Sequence, residues 1–313
     1  MNIVVLDGAT TNPGDISWGK IEKLGDVTIY GDSDESQIVQ RAKNAEILIS
    51  NRIVYDENLL NKLPKLKYIG TLSTGYNAID LKATKEKGIV VSNVPSYCAT
   101  TVAQMAFSLL LELCNHCKDH SDIVKSGNWD ESISFGQKKA PFTELFEKTM
   151  GIVGYGDTGR IVAQMAKAFG MNVIAYSKSP KEIPTVSLEE VFSKSDVVSV
   201  HLALNSETAN LIDINLFKLM KKTSFFINTA RGGIVNQKDL AFALENGIIA
   251  GAGLDVLDKE PPEKNCELFG IDNCIITPHI AWSAKEARQR LVDIVAKNIE
   301  MYQKGTPQNQ VNK

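Results

Sequence analysis

Short apolar runs alternate with amphipathic stretches along most of the chain. In the first third, "IVVLDG", "VTIYG", "EILISN", "LKYIGTL" and "IVVSNV" predict strands. Helical periodicity fills the intervals 18–24, 35–43, 57–63 and 81–87. Helices that separate successive strands act as crossovers, so the pattern predicts an α/β chain with parallel sheets. A long helical pattern follows, from about 99 to 125, and then "SGNWDESISFGQKKAPF", which has no period and reads as an excursion loop. The alternation resumes with "TMGIVGYG", "NVIAYS", "DVVSVHL", "SFFINTA", "AGAGLDV" and "CIITP" as strands. "SLEEVFSKS", "NLFKLMKK" and "QKDLAFALENG" read as helices between them. A last helix is expected from about 284 to 304, with a polar, frayed tail beyond it.

Length and charge narrow the function. A chain of 313 residues, 43% hydrophobic, is long enough for two domains with separate cores. A net charge of −3 and the lack of a basic block argue against nucleic acid and anionic membrane as partners. The chain opens on a strand-like run without a signal-peptide pattern. The longest apolar run, "MAFSLLLEL", is too short to span a bilayer and contains Glu112. Five cysteines, an odd number, suit reduced thiols in the cytoplasm. "CNHCKDH" tempts a metal reading, but Cys114 and Cys117 continue the apolar stripe of Val102, Ala106, Leu109, Leu110 and Leu113. Zinc sites usually draw ligands from more than one segment, so packing is preferred and no metal is expected.

"MGIVGYGDTGR" places Gly154, Gly156 and Gly159 in the G-x-G-x-x-G spacing, after an apolar strand and before a helical pattern. The first glycine permits the tight turn, the second admits a pyrophosphate, and the third lets helix and strand pack closely. The helix N-terminus then offers free N–H groups to the phosphates. An acid at the end of the next strand would bind both ribose hydroxyls of NAD. Ser177 and Lys178 stand there instead, which leans toward NADPH or toward loose discrimination between the two cofactors.

Three polar residues follow strands that should present ligand loops at their carboxyl ends: Arg231 in "FFINTARGG", Glu260 in "GLDVLDKEPP" and His279 in "IITPHI". Interconversion of 2-keto and 2-hydroxy acids needs a proton carrier, a cation for carboxylate and carbonyl, and a hydride partner. Histidine suits the proton step. A carboxylate would stabilise the imidazolium, and arginine's planar fork would hold the substrate oxygens. Each residue alone reads as readily as a surface ion pair or a packed histidine.

Together these blocks resemble the D-isomer-specific 2-hydroxyacid dehydrogenase family over nearly the whole chain. "GIVGYGDTGR", "NTARGGIVNQKDLAFALENG", "AGAGLDVLDKEPP" and "TPHIAWSAKEAR" stand in that family's order, and "TLSTGYNAIDL" looks like its substrate loop. The resemblance implies His279 as acid/base beside the nicotinamide, Glu260 as its tuning partner and Arg231 as substrate ligand. It implies backbone N–H groups of Ser73, Thr74 and Gly75 on the substrate carboxylate. Asp255, Thr229, Ala230, Asp157, Thr158 and Thr101 would lie at the cofactor. It further implies a flavodoxin-like substrate domain from 1–99 and 283–313, a Rossmann domain from 100–282, an active site in the cleft between them, and a homodimer. One departure is Glu147, where the family usually has glycine before the cofactor strand. Ser177 in place of an acid is the other.

The opening "VVLDGATTNPGDISWGKIEKLGDVTIY" and Trp282 resemble the glycerate dehydrogenase and hydroxypyruvate reductase branch. The expected substrate pair is hydroxypyruvate and D-glycerate, with glyoxylate and glycolate next. A phosphoglycerate- or lactate-type dehydrogenase is the alternative within the family. A dinucleotide-sensing corepressor is the alternative outside enzymes.

Overall fold

The segments Ile47–Ser50 and Tyr68–Thr71 are buried at every position. That is the signature of central parallel strands covered on both faces. In the computed structural model, which describes residues 1–129, 142–179 and 182–313, they belong to a five-stranded sheet. Its strands are β1 (Asn2–Val5), β2 (Asp26–Ile29), β3 (Ile47–Ser50), β4 (Tyr68–Thr71) and β5 (Val90–Ser92), in the order β2-β1-β3-β4-β5, all parallel. The sheet lies in a unit formed by Met1–Cys98 and Trp282–Lys313. Side chains alternate across it. Val4, Leu6, Leu48 and Ile69 point into one core cluster, and Ile3, Val5, Ile47 and Ile49 into another.

The terminal helix Lys285–Gln303 covers the second of those faces, through Ala287, Leu291, Val292, Val295, Ala296 and Ile299. Arg288 is buried at its start. Its guanidinium holds both oxygens of Asp15 at 2.7 Å and donates to the Thr11 carbonyl. The tail beyond this helix is not frayed, contrary to its polar composition. Val311 N–H donates to the Val91 carbonyl. The Asn312 side chain, itself buried, accepts from Val91 N–H and donates to the Ile89 carbonyl and Thr84 hydroxyl. The backbone of the tail and the Asn312 side chain thus pair the open side of edge strand β5.

The second unit, Ala99–Ala281, holds a six-stranded sheet. Its strands are β6 (Thr149–Val153), β7 (Asn172–Tyr176), β8 (Val197–Val200), β9 (Phe225–Asn228), β10 (Gly251–Leu254) and β11 (Cys274–Ile276). They run parallel in the order β11-β10-β9-β8-β6-β7, again with a core cluster on each face. The helix expected over 99–125 is two helices, Ala99–Asn115 and Cys117–Lys125. His116 breaks it in the left-handed region, at φ 49°, and the Glu112 carboxylate accepts the Lys118 N–H of the next turn. The apolar stripe accordingly ends at buried Cys114, and Cys117 is exposed. Most of the excursion loop read at 126–142 lies outside the described residues.

Glu147, the departure noted before the cofactor strand, sits at φ 60°. A residue with a Cβ occupies a conformation that glycine adopts without strain.

Candidate active site

Arg231, Glu260 and His279 leave the carboxyl ends of β9, β10 and β11, three adjacent strands of one sheet. His279 Nδ1 lies 2.6 Å from Glu260 Oε2, and Glu260 Oε1 accepts the Leu257 N–H at 3.0 Å. Burial alone would push the Glu260 carboxyl up. The bonds from His279 and Leu257 and the charges of His279 and Arg231 outweigh it, and the group is held below its usual range. An ionised carboxylate can only accept, so the proton between them belongs to Nδ1. Nε2 is then the ring nitrogen on the side away from the carboxylate.

Two features bring these loops together. Gly232 packs so tightly on the β10 loop that a Cβ there would lie 1.8 Å from the Leu257 carbonyl carbon. No other residue type fits between the Arg231 turn and the segment that leads to Glu260. Asn228, buried at the end of β9, then shapes the turn itself: its Oδ1 accepts the Ala230 N–H and its Nδ2 donates to the Arg231 carbonyl, both at 3.0 Å. Arg231 is exposed, and its guanidinium also reaches the Ala230 carbonyl at 2.7 Å.

Asp255, expected at the cofactor, is 0% exposed. Its Oδ1 accepts from the Thr277 hydroxyl at 2.6 Å and the Ile280 N–H at 2.9 Å, and its Oδ2 from the Ala281 N–H at 2.8 Å. Its carbonyl takes the His279 N–H at 2.8 Å. The carboxylate braces the loop around His279, whose own backbone stands at φ 54°.

The glycine turn lies toward the other end of the same sheet, after β6. Gly154 has φ 100°, and a Cβ there would strike the His201 carbonyl at 2.8 Å. A Cβ on Gly159 would strike the Gly154 carbonyl at 2.3 Å, whereas one on Gly156 would meet nothing within 4 Å. The turn is closed beneath and open at its second glycine, where a pyrophosphate would approach. The helix Asp157–Ala168 starts there, with Thr158 in its first turn. Thr229 Oγ1 is buried with no partner among the described residues, an orphan that a bound polar group would satisfy. These residues fit a dinucleotide. Ala230 is half-buried beside Thr229, and Thr101 lies in the first turn of the helix Ala99–Asn115. Past β7, Ser177 is half-buried, and the exposed Lys178 pairs with Glu207.

In the first unit, Ser73, Thr74 and Gly75 follow β4. Their polar acceptors are all engaged: Ser73 O takes the Thr71 hydroxyl and the Val94 N–H, Thr74 O takes Asn93 Nδ2, and Gly75 O takes the Ser73 hydroxyl. Among the described residues, the three consecutive N–H groups donate to no acceptor. A row of free N–H donors is an anion seat.

Sequence reasoning missed His201, Asn228, Gly232, Thr277 and Glu207. His201 is half-buried just after β8 with Nε2 at 2.8 Å from the Ser199 hydroxyl, and desolvation of its ring pushes it down to about 4. The glycine beside Arg231 was visible in "ARGG", but nothing in that string tells which backbone it touches.

The description "D-isomer specific 2-hydroxyacid dehydrogenase, NAD binding domain" matches residues 107–281. A hydroxypyruvate reductase of Blautia hydrogenotrophica is 40% identical over the full length of both chains. The chain belongs to the D-isomer-specific 2-hydroxyacid dehydrogenases. A glycerate dehydrogenase of Methylorubrum extorquens is 38% identical over 88% of each chain. Among solved structures, an acyclic imino acid reductase in complex with NADPH and D-Arg is 31% identical over 99% of this chain and 100% of its own, with a TM-score of 0.87. The 2-hydroxyacid dehydrogenase described here is therefore an oxidoreductase that uses a nicotinamide dinucleotide and acts on small hydroxy or keto acids. Among the described residues, no helix is long and apolar enough to cross a membrane.

Proposed function

We propose that this enzyme reduces hydroxypyruvate to D-glycerate, and glyoxylate to glycolate more slowly. The observation that carries the reading is the 2.6 Å contact of His279 with an ionised Glu260, beside Arg231 at one half of the sheet. The dinucleotide, when bound, supplies the hydride that reaches C2 of the keto acid. His279, oriented by Glu260 through Nδ1, gives the Nε2 proton to the C2 oxygen as its charge develops. Arg231 polarises that oxygen and holds the carboxylate in the same plane. In the first unit, the free N–H row at Ser73–Gly75 is proposed as a seat for a substrate carboxylate. Asp255 acts on the reaction through the His279 loop. Two relatives, a hydroxypyruvate reductase 40% identical and a glycerate dehydrogenase 38% identical, support this substrate over lactate-type acids.

For the cofactor, Ser177 and Lys178 favour NADPH or use of both dinucleotides, since no acid at the end of β7 repels a 2′-phosphate. Exposed Phe142 and Phe146, which line one surface depression of the second unit, support a homodimer. The five cysteines are all free, in keeping with a reducing cytoplasm. Steady-state kinetics on hydroxypyruvate, glyoxylate, pyruvate and a branched keto acid, each with NADH and NADPH, tests the substrate and cofactor. Pyruvate or the branched acid ranking first in kcat/KM would overturn the substrate. Turnover retained in His279→Ala would overturn the mechanism.

A further inference from the structure

The strands that flank β6 are β7 and β8. Lys178 leaves the end of β7 and Glu207 the loop after β8. Their charged ends meet, joining the loops on either side of the strand that carries the glycine turn. A dinucleotide seated on that turn would set its adenosine ribose near the end of β7. We propose that Glu207 is a specificity-determining residue for this ribose, competing with a 2′-phosphate for the Lys178 ammonium. The inference rests on the dinucleotide reading of the glycine turn and deepens it.

Glu207 is placed by a built turn and not by chance. Asn205 Oδ1 accepts the N–H groups of Glu207 at 2.9 Å and Thr208 at 3.1 Å. Buried Thr208 ties the turn down: its hydroxyl donates to the Ala203 carbonyl at 2.7 Å and accepts the Asn205 N–H at 2.8 Å. The next residues anchor to the Arg231 turn, through Asn210 N–H on the Gly233 carbonyl at 2.9 Å. The carboxylate therefore stands at a fixed root, within reach of the residue that follows β7.

Lys178 and Glu207 are both well exposed, 76% and 69% at the side chain, so their mutual attraction is weak and exchangeable. Against NADH the pair stays intact. Glu207 and Ser177 can then accept from the ribose hydroxyls, and the acid missing from the end of β7 is supplied from the neighbouring loop. Against NADPH the 2′-phosphate takes Lys178, and Glu207 is left unpaired close to a dianion. Like charges at that range oppose binding, and salt screens the effect. Lys178 thus admits NADPH while Glu207 limits the preference for it. The two residues together make a graded selector, which neither the glycine motif nor the β7 end encodes by itself.

The test is direct binding to the intact enzyme by calorimetry, with 2′,5′-ADP against 5′-ADP and NADPH against NADH. Glu207→Gln keeps the side-chain shape and removes the charge. It should tighten 2′,5′-ADP and NADPH by roughly three- to tenfold at low salt and weaken 5′-ADP and NADH by roughly two- to threefold, as the ribose hydroxyls lose a charged acceptor. The gain should shrink at 0.5 M salt, a dependence that altered packing would not produce. Lys178→Met should weaken only the 2′-phosphorylated ligands. Weakening in Lys178→Met with no change in Glu207→Gln would overturn the competition and leave the ribose site standing. All four ligands binding unchanged in both variants would overturn the siting of the ribose, and with it the dinucleotide reading of this edge.

Discussion

Glu260 spans two loops: one oxygen stands 2.6 Å from His279 Nδ1, and the other accepts the Leu257 N–H at 3.0 Å. Its carboxyl is held below the ordinary 4.5, so it stays ionised as the pH falls through that value. Glu260→Gln keeps the shape and removes the charged acceptor that faces His279 Nδ1. The expected loss in kcat for keto-acid reduction is about ten- to a hundredfold. Dinucleotide affinity, read by fluorescence titration, should hold. An unchanged kcat from pH 6 to 9 would remove Glu260 from the mechanism.

Gly232 should be intolerant of any side chain. A methyl group at position 232 would lie 1.8 Å from the backbone of Leu257, so the Arg231 turn and the Glu260 loop must separate. Gly232→Ala is expected to cost about 3 kcal/mol in urea unfolding and to lower kcat/KM by more than tenfold. A variant with wild-type stability and kinetics would mean that the two loops part freely.

Glu147 offers the reverse case. It sits at φ 60°, donates its N–H to the Gly170 carbonyl at 3.0 Å and accepts from Asn172 Nδ2 at 3.1 Å. Glu147→Gly keeps both backbone bonds and relieves the left-handed strain, less the entropy that glycine loses on folding. A net gain of about 0.5–1 kcal/mol is expected, raising Tm by roughly 2 °C with kcat unaltered. A lower Tm would show that the glutamate side chain itself stabilises this corner.

His201 makes the fold sensitive to mild acid. Burial pushes it from 6.5 down to about 4, so the folded chain keeps it neutral while the unfolded chain binds a proton below 6.5. Its contribution is complete above 6.5 and is lost progressively as the pH falls toward 4, to about 3 kcal/mol at most. Urea titrations of wild type and His201→Gln should therefore converge in stability between pH 7 and 4.5, with the variant less sensitive to pH. Parallel stability curves would contradict a neutral buried imidazole.

The sequence carried the site wherever chemistry and spacing coincide. The glycine turn, Arg231, Glu260 and His279 each follow an apolar strand, so alternation alone put them at the carboxyl ends of parallel strands. Asn228 escaped because a single polar residue at a strand end gives no sign of which N–H groups it will accept. Asp255, expected at the cofactor, also accepts the N–H groups of Ile280 and Ala281, a bracing of the His279 loop that its place at a strand end does not announce. His116 broke a continuous helical pattern without glycine or proline to announce it. The tail from Thr306 read as frayed because composition registers polarity, whereas Asn312 works through three specific hydrogen bonds along β5.

The helix Lys285–Gln303 has a consequence for how the chain matures on the ribosome. The first sheet is complete in sequence by Ser92, yet Ile3, Val5, Ile47 and Ile49 keep one face bare until Leu291, Val295 and Ile299 are made. The unit Ala99–Ala281 has all its own strands before that helix emerges. Synthesis thus favours a sequence in which the middle of the polypeptide consolidates first and its beginning waits, sticky on one side, for its end. A nascent chain stalled near residue 280 should be the species that chaperones hold most firmly.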